Sequence, residues 1–262
     1  MTKWTLITGA SEGLGVEFAR IAAREGRNLI LTARSEDKLE ALATQLRAGG
    51  TEVVVIPADL NDSSEVARLW SEATVDREID VVVNNAGLGR NGPFAEDRDN
   101  GADWARELSS IEVNMSALTR LMKLAIAHMR GSGGGRVLNV ASTAAFLPGP
   151  NMAVYHATKA YVLSLSEAVA FEVRGSGVTV SALCPGATQT NFFDAADMHG
   201  IRLLKFAPPA AADKVAQIGW DGMLRGKAVI VPGLMNKFFA FSPRISPRFM
   251  VVWVTSIFMS KS

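Results

Sequence analysis

The chain has 262 residues and a mass of 28.0 kDa, enough for one α/β domain with a sizeable core or at most two small ones, and too long for a short disulfide-stapled fold. Apolar residues make up 48% and charged residues 20%, ordinary globular usage that excludes extensive disorder, collagen-like repeats and a coiled coil. The net charge of +1 hides a bias: no acidic residue follows Asp221, so residues 222–262 carry +6 from six basic side chains, and the rest of the chain carries −5 from 21 basic and 26 acidic ones.

In chain order, short β-branched apolar runs alternate with segments of helical period. Strands are predicted at 4–7, 28–31, 52–56, 79–83, 137–140 and 178–183. Several lack polar alternation, as strands covered on both faces do. Between the first two, Leu14, Phe18, Ile21 and Ala22 recur at i, i+4, i+7 and i+8, the stripe of a helix lying on a sheet. Further helices are predicted at about 36–48, 63–74, 101–130 and 152–174. Such strand–helix–strand units fold as right-handed crossovers in a parallel sheet with helices on both faces, a doubly wound α/β fold. No linker or repeat interrupts the series, so residues 1–262 read as a single domain. From 187 to 226 the pattern loosens around Pro208 and Pro209, before a strand-like run at 228–231. Ligands of open α/β sheets sit beyond the carboxyl ends of the strands, which places 187–226 as a substrate lid, with a plain surface loop as the alternative.

The first strand runs into Gly9, Ser11, Glu12, Gly13, Leu14 and Gly15 and then a helix. Glycines permit a tight turn and close backbone approach to a pyrophosphate, while the free N–H groups and dipole of the helix start stabilise negative charge. The spacing is not G-x-G-x-x-G, but strand, turn and helix stand in the order a dinucleotide site requires. The second strand leads to Arg34. An acidic residue there would accept from both ribose hydroxyls of NAD, whereas a guanidinium pairs with a 2′-phosphate, so NADP(H) is favoured over NAD(H). The alternative for Arg34 is a solvated helix-start residue.

Tyr155 and Lys159 stand one helical turn apart, on one face. A phenol with a reference pKa of about 10 is a poor acid–base group near neutrality, and an adjacent ammonium lowers that value. Ser142 ends the strand before this helix, Asn114 lies in the preceding long helix, and Asn84-Asn85-Ala86-Gly87 ends the fourth strand.

With these residues the chain resembles the short-chain dehydrogenase/reductase family over about residues 3–190. The matching positions, in order, are the Thr8–Gly15 turn, Asp59, Asn84 to Gly87, Asn114, Ser142, Tyr155 with Lys159, and Pro185-Gly186 followed by Thr188. The resemblance implies a seven-stranded Rossmann sheet and a nicotinamide coenzyme. It also implies catalytic roles: Tyr155 exchanges the proton of a carbonyl or alcohol oxygen, and Ser142 hydrogen-bonds that oxygen. Lys159 holds the nicotinamide ribose and depresses the tyrosine pKa, and Asn114 supports a water relay to the lysine. Asp59 and Leu60 would contact adenine, Asn85, Ala86 and Gly87 would line the coenzyme groove, and Pro185, Gly186 and Thr188 would meet the nicotinamide. Association into a dimer or tetramer, through the helices at 101–130 and 152–174, follows from the same resemblance. A coenzyme-sensing binding protein with a silent site is the competing class.

Residues 88–98, 143–151 and 189–210 should line the substrate space, and they supply Leu88, Phe94, Phe146, Leu147, Phe192, Phe193 and Met198, joined by Met152. This apolar set points to a hydrophobic ketone or secondary alcohol. The tail, about 234–262, sets an apolar run beside basic residues. It can cover the pocket, pack on a second subunit, or lie on an anionic membrane surface. It cannot span one, because the longest uncharged apolar run, 249–260, falls short of roughly 20 residues. The short apolar run before Gly9 does not make a secretory signal. Cys184, the one cysteine, cannot close an internal disulfide and permits a reducing, cytoplasmic setting. His128, His156, His199 and Cys184 show no metal-ligand spacing, His156 reads as structural, and basic residues confined to an apolar tail do not form a nucleic-acid face.

Overall fold

A computed structural model describes residues 3–96, 101–198, 200–202 and 208–260, without the side chain of Ala102. Its first half alternates β1 (Trp4–Thr8), α1 (Gly13–Arg24), β2 (Asn28–Thr32), α2 (Glu36–Ala48), β3 (Val53–Val55), α3 (Ser63–Ala73) and β4 (Ile79–Asn84). Next come α4 (Ala102–Ile111), a π-helical segment (Glu112–Ala117), α5 (Leu118–Gly131), β5 (Gly135–Val140), α6 (Ala153–Glu172) and β6 (Val178–Leu183). The last part comprises α7 (Phe192–Ala195), α8 (Ala212–Leu224), β7 (Val229–Ile230), α9 (Leu234–Phe241) and α10 (Arg248–Met259).

Seven parallel strands form one sheet in the order β3-β2-β1-β4-β5-β6-β7. The period of two along each strand sends alternate side chains to opposite faces. Ile7, Leu31, Val83 and Leu138 face Phe18 of α1, Leu39 of α2 and Trp220 of α8. Their neighbours Leu6, Ile30, Val82 and Val137 face Leu69 of α3 and Leu121 and Met129 of α5. Burial of each such aliphatic side chain stabilises the fold by roughly 1.5–3 kcal/mol, so both faces must be covered. That requirement explains the unbroken apolar runs of the strands.

The predicted α/β class, parallel sheet and first three crossovers match the structure, with strand ends shifted by a residue or two. Two readings change. The long helix at 101–130 is interrupted by the π segment at Glu112–Ala117, which carries Asn114. The loose region 187–226 is not irregular throughout, because its end is α8, a core helix with Val215, Trp220 and Met223 buried. Gly219 and Gly222 disguise its stripe. They face the sheet because a Cβ at Gly219 would stand 2.7 Å from Leu183 Cδ2, and one at Gly222 2.6 Å from Ile230 Cδ1.

The strand order reverses direction between β1 and β4. Loops after these two strands turn to opposite sides and leave a crevice at their carboxyl ends.

Candidate active site

The turn after β1 is held open by β4. Thr8 Oγ1 accepts from the backbone N–H groups of Asn85 and Ala86, both at 3.0 Å, and Asn85 Nδ2 donates to the carbonyls of Thr8 at 3.0 Å and Gly9 at 3.1 Å. Gly9 and Gly13 have φ of 63° and 57°, the left-handed region that glycine enters without strain. Gly9, Ser11, Glu12, Gly13 and Leu14 line a cavity of about 960 Å³ at the crevice. Gly15, expected to bind coenzyme, lies outside that lining. It is a packing residue: a Cβ there would overlap the Gly9 carbonyl and stand 2.8 Å from Asn85 Nδ2.

The first turn of α1 has no acidic residue, and Glu12, at the N-cap, makes no capping hydrogen bond. Its carboxylate instead meets the Lys38 ammonium and accepts from Asn191 Nδ2 at 2.9 Å. The Lys38 bond holds Glu12 below its usual carboxylate range against the opposing effect of burial. The helix-start N–H groups are thus left to an anion. Arg34 is exposed at the cavity edge, with Lys38 one turn further along the chain. Asp59, Leu60, Asn85, Ala86 and Gly87 continue the wall. An uncapped helix start and a backbone-lined turn fit a pyrophosphate-bridged dinucleotide, with Arg34 at the far end of the groove. Lys38 and Asn191 escaped the sequence reading, because nothing local couples them to Glu12.

Four predicted groups meet at the other end of the groove. The π segment swings Asn114 towards the β4 loop, where Nδ2 donates to Leu88 O and Thr158 Oγ1, both at 2.9 Å, and Oδ1 accepts from Leu88 N at 2.8 Å. Such π bulges cluster at functional sites. Asn114 stands behind the cavity wall: its Oδ1 and Lys159 Nζ flank Gly87, at 3.3 and 3.2 Å from the position a Cβ would take. Ser142 Oγ accepts from Ala144 N at 3.1 Å and is hydrogen-bonded to the Tyr155 phenol. Pro185, Gly186 and Thr188 border the same end, and Pro185 O accepts from Thr143 N at 2.8 Å.

The electrostatic balance differs from the expected one. Removal from water pushes the Tyr155 phenol up to about 12, with the Ser142 bond pulling the other way, and Lys159 is not among the groups acting on it. The reason is geometric: Lys159 Nζ donates to Val140 O at 2.8 Å and stands 5.7 Å from the tyrosine ring centroid. Burial pushes Lys159 itself down to about 8.

The rest of the cavity is apolar. Leu88, Leu147, Met152, Phe192, Phe193 and Met198 line it as expected. Phe94 does not, being 66% exposed, and Phe146 packs instead against the cluster around Leu118 and Val162. The region 189–210 contributes α7, while His199 and residues 203–207 lie outside the described residues. The far wall comes from the tail, through Phe239 of α9 and Val251, Thr255, Phe258 and Met259 of α10. Pocket cover is therefore a role the tail fulfils. His156 accompanies the site as structure: its Nδ1 pairs with Leu147 O at 2.9 Å, and its ring fills the space beside Gly149. Cys184 is buried, and its thiol is pushed up to about 12 mainly by that burial, which makes it a poor nucleophile. His128 Nε2 accepts from Ile79 N at 3.2 Å.

Comparisons with known proteins identify the family and the fold. The short chain dehydrogenase family profile matches residues 3–199. A ketoacyl reductase of Nostoc sp. is 35% identical over 185 residues, which cover 70% of this chain but only 63% of that protein, less than two thirds of its length. A short-chain dehydrogenase from Sphingobium yanoikuyae, solved in complex with NADPH, superposes with a TM-score of 0.81 at 31% identity, covering 94% of each chain. A second, from Burkholderia phymatum in complex with NAD, gives 0.81 at 25% identity over 91% of this chain and 92% of that one.

Proposed function

The chain belongs to the short-chain dehydrogenase/reductase family, and on that premise we propose that it is an NADP(H)-dependent oxidoreductase acting on an apolar ketone or secondary alcohol, with Tyr155 as general acid/base. The observation that carries this reading is one continuous cavity. It joins a phosphate-binding turn, the Ser142–Tyr155–Lys159 group and an apolar chamber. Nicotinamide, when bound, supplies or accepts the hydride.

The protein's own groups would divide the remaining work. A phenol held at about 12 stays protonated at neutral pH, as a proton donor to a carbonyl oxygen must. Ser142 stands beside it as a second hydrogen-bond donor to the same oxygen, where it stabilises developing charge. Lys159 and the Asn114 side chain, both beside Gly87, would anchor the ribose and pass a proton inward. Gly9, Ser11, Gly13 and Leu14 would hold the pyrophosphate, Asp59 and Leu60 the adenine, and Arg34 with Lys38 a 2′-phosphate. Pro185, Gly186 and Thr188 would seat the carboxamide. Phe192, Phe193 and the tail exclude water from the chamber, which suits a ketone without charged substituents.

We read residues 1–262 as one functional domain, with a lid near 187–211 and the tail as its second cover. Trp104 and Leu108 on α4 and Tyr161 and Phe171 on α6 are exposed, which supports a homo-oligomer built on those helices. No helix among the described residues is long and apolar enough to cross a membrane.

The test is kcat/KM with NADPH and NADH over aliphatic, aromatic, steroid and ketoacyl carbonyls, with Tyr155→Phe alongside. We expect an NADPH preference, activity rising with apolar bulk, and a loss in the phenylalanine variant of about 10²–10⁴-fold in kcat. A clear NADH preference would overturn the coenzyme assignment, and a fully active variant would overturn the acid.

A further inference from the structure

The tail has two apolar sides. Val251, Thr255 and Met259, at i, i+4 and i+8 of α10, turn into the cavity. On the other side Phe249 and Trp253 are 74% and 64% exposed, and on α9 Leu234, Phe238 and Phe241 recur at i, i+4 and i+7, all exposed. An amphipathic surface helix turns mainly polar residues to water, whereas these two turn mainly apolar ones. Between and beside the apolar side chains stand Lys237, Arg244 and Arg248, each exposed. No acidic residue occurs anywhere from 222 to 262.

We propose that the outer face of α9 and α10 docks on an anionic lipid bilayer. The aromatic and aliphatic side chains would enter the boundary between headgroups and acyl chains, and the three cations would meet lipid phosphates. Charge selects this occupant. A second copy seated on the same face would bring like charges together across a two-fold axis, whereas an anionic leaflet presents the opposite sign. Length sets the depth: twelve residues of α10 reach about 18 Å, against roughly 30 Å of hydrocarbon core, so the helix lies in the interface. The face also borders the cavity, because Phe238, Met250 and Val254 are exposed and line it at once. Docking would turn that side of the cavity towards the bilayer and admit an apolar molecule without a passage through water.

The docking stands on its own observations, and its test reads binding alone. The full chain is floated with vesicles of phosphatidylcholine, alone or with about one third phosphatidylglycerol. Flotation with the anionic vesicles is expected, weakening as salt rises from about 0.05 to 0.5 M. The double variant R244E/R248E should bind at least roughly 25-fold more weakly, from about fivefold for each cation lost, and F249S/W253S at least roughly tenfold. Dinucleotide titration and thermal melting confirm that both variants are folded, since none of the four residues lines the cavity. Absence of flotation with either vesicle would overturn the proposal. So would equal binding to neutral and anionic vesicles, or wild-type binding by both variants. Sedimentation equilibrium without lipid covers the other occupant: a dimer dissociated by the same substitutions would assign the face to a second copy and refute the membrane.

Discussion

Replacement of Lys159 by methionine should abolish activity and yet stabilise the fold at neutral pH. The ammonium is buried and depressed from its ordinary 10.5 to about 8, a difference that corresponds to about 3 kcal/mol at 1.36 kcal/mol per unit. Below pH 8 the lysine is charged in both folded and unfolded chains, and the native state carries the whole penalty. Between pH 8 and 10.5 the unfolded chain binds the extra proton, so wild-type stability rises with pH until the penalty is gone. Methionine keeps the volume without the charge, but it loses the donor to Val140 O, at a cost of about 1 kcal/mol. The net gain at pH 7 is about 2 kcal/mol, or a Tm increase of roughly 4–8 °C for a chain of this size. The assay is denaturant unfolding of both proteins without added nucleotide from pH 6.5 to 10, read as the difference between them, in which every shared titration cancels. The expected difference favours K159M at pH 7, shrinks by about 1.4 kcal/mol per pH unit above pH 8 and reverses only close to pH 10. A variant less stable at pH 7, or a difference that does not move with pH, would show that the site does not impose this desolvation.

Three further outcomes follow from the same geometry. Gly15→Ala drives a methyl group against Asn85 and the Gly9 carbonyl; overpacking of this kind costs about 1–3 kcal/mol, and because it displaces the turn that lines the cavity a fluorescence titration should show dinucleotide affinity down roughly 5–100-fold, at 1.4 kcal/mol per tenfold step. Asn114→Ala leaves both Leu88 backbone groups and the Thr158 hydroxyl without their partner, with an expected loss of about 2–4 kcal/mol in melts and a kcat that falls more than KM rises, while Asn114→Asp, which retains the acceptor for Leu88 N, should lie between. Arg34→Glu should cost NADPH roughly 10–100-fold in kcat/KM, from the about 1.5–3 kcal/mol of a charged hydrogen bond, and leave NADH unchanged or improved; equal losses for both nucleotides would place Arg34 away from the 2′-phosphate.

The fold was legible where one residue's neighbours in sequence are also its neighbours in space. Ile7 and Leu6, or Val83 and Val82, face opposite layers, so a strand covered on both sides must be apolar throughout, and the run itself reveals the parallel sheet. The α1 stripe ending in Ile21 and Ala22 is similarly local. Helix α8 was missed for the converse reason. Its contact with the sheet depends on Gly219 and Gly222 making room for Leu183 and Ile230, and a glycine reads as a break unless the partner is known. The π turn at Asn114 has no sequence signature either, because it is stabilised by bonds to Leu88 and Thr158, 26 and 44 residues away.

The site divides along the same line. Tyr155 and Lys159 share a helix face, which spacing alone reveals, and Ser142, two residues past the end of β5, joined them through the family resemblance. Their protonation was not legible, because it depends on what encloses them. Spacing alone predicts a cation that acidifies a phenol; the structure instead buries both groups and ties the cation to Val140. Burial shifts a phenol up and an ammonium down, so the two groups move towards the protonated acid and the uncharged amine, away from the phenolate–ammonium pair. Part of that enclosure is the apolar wall from α10, whose Met259 shares a cluster with Tyr155 across 104 positions of sequence. The tail therefore bears on the chemistry as well as on the substrate, since the burial that raises the phenol above its ordinary value is shared between the elements that carry the motif and a segment that carries no motif at all.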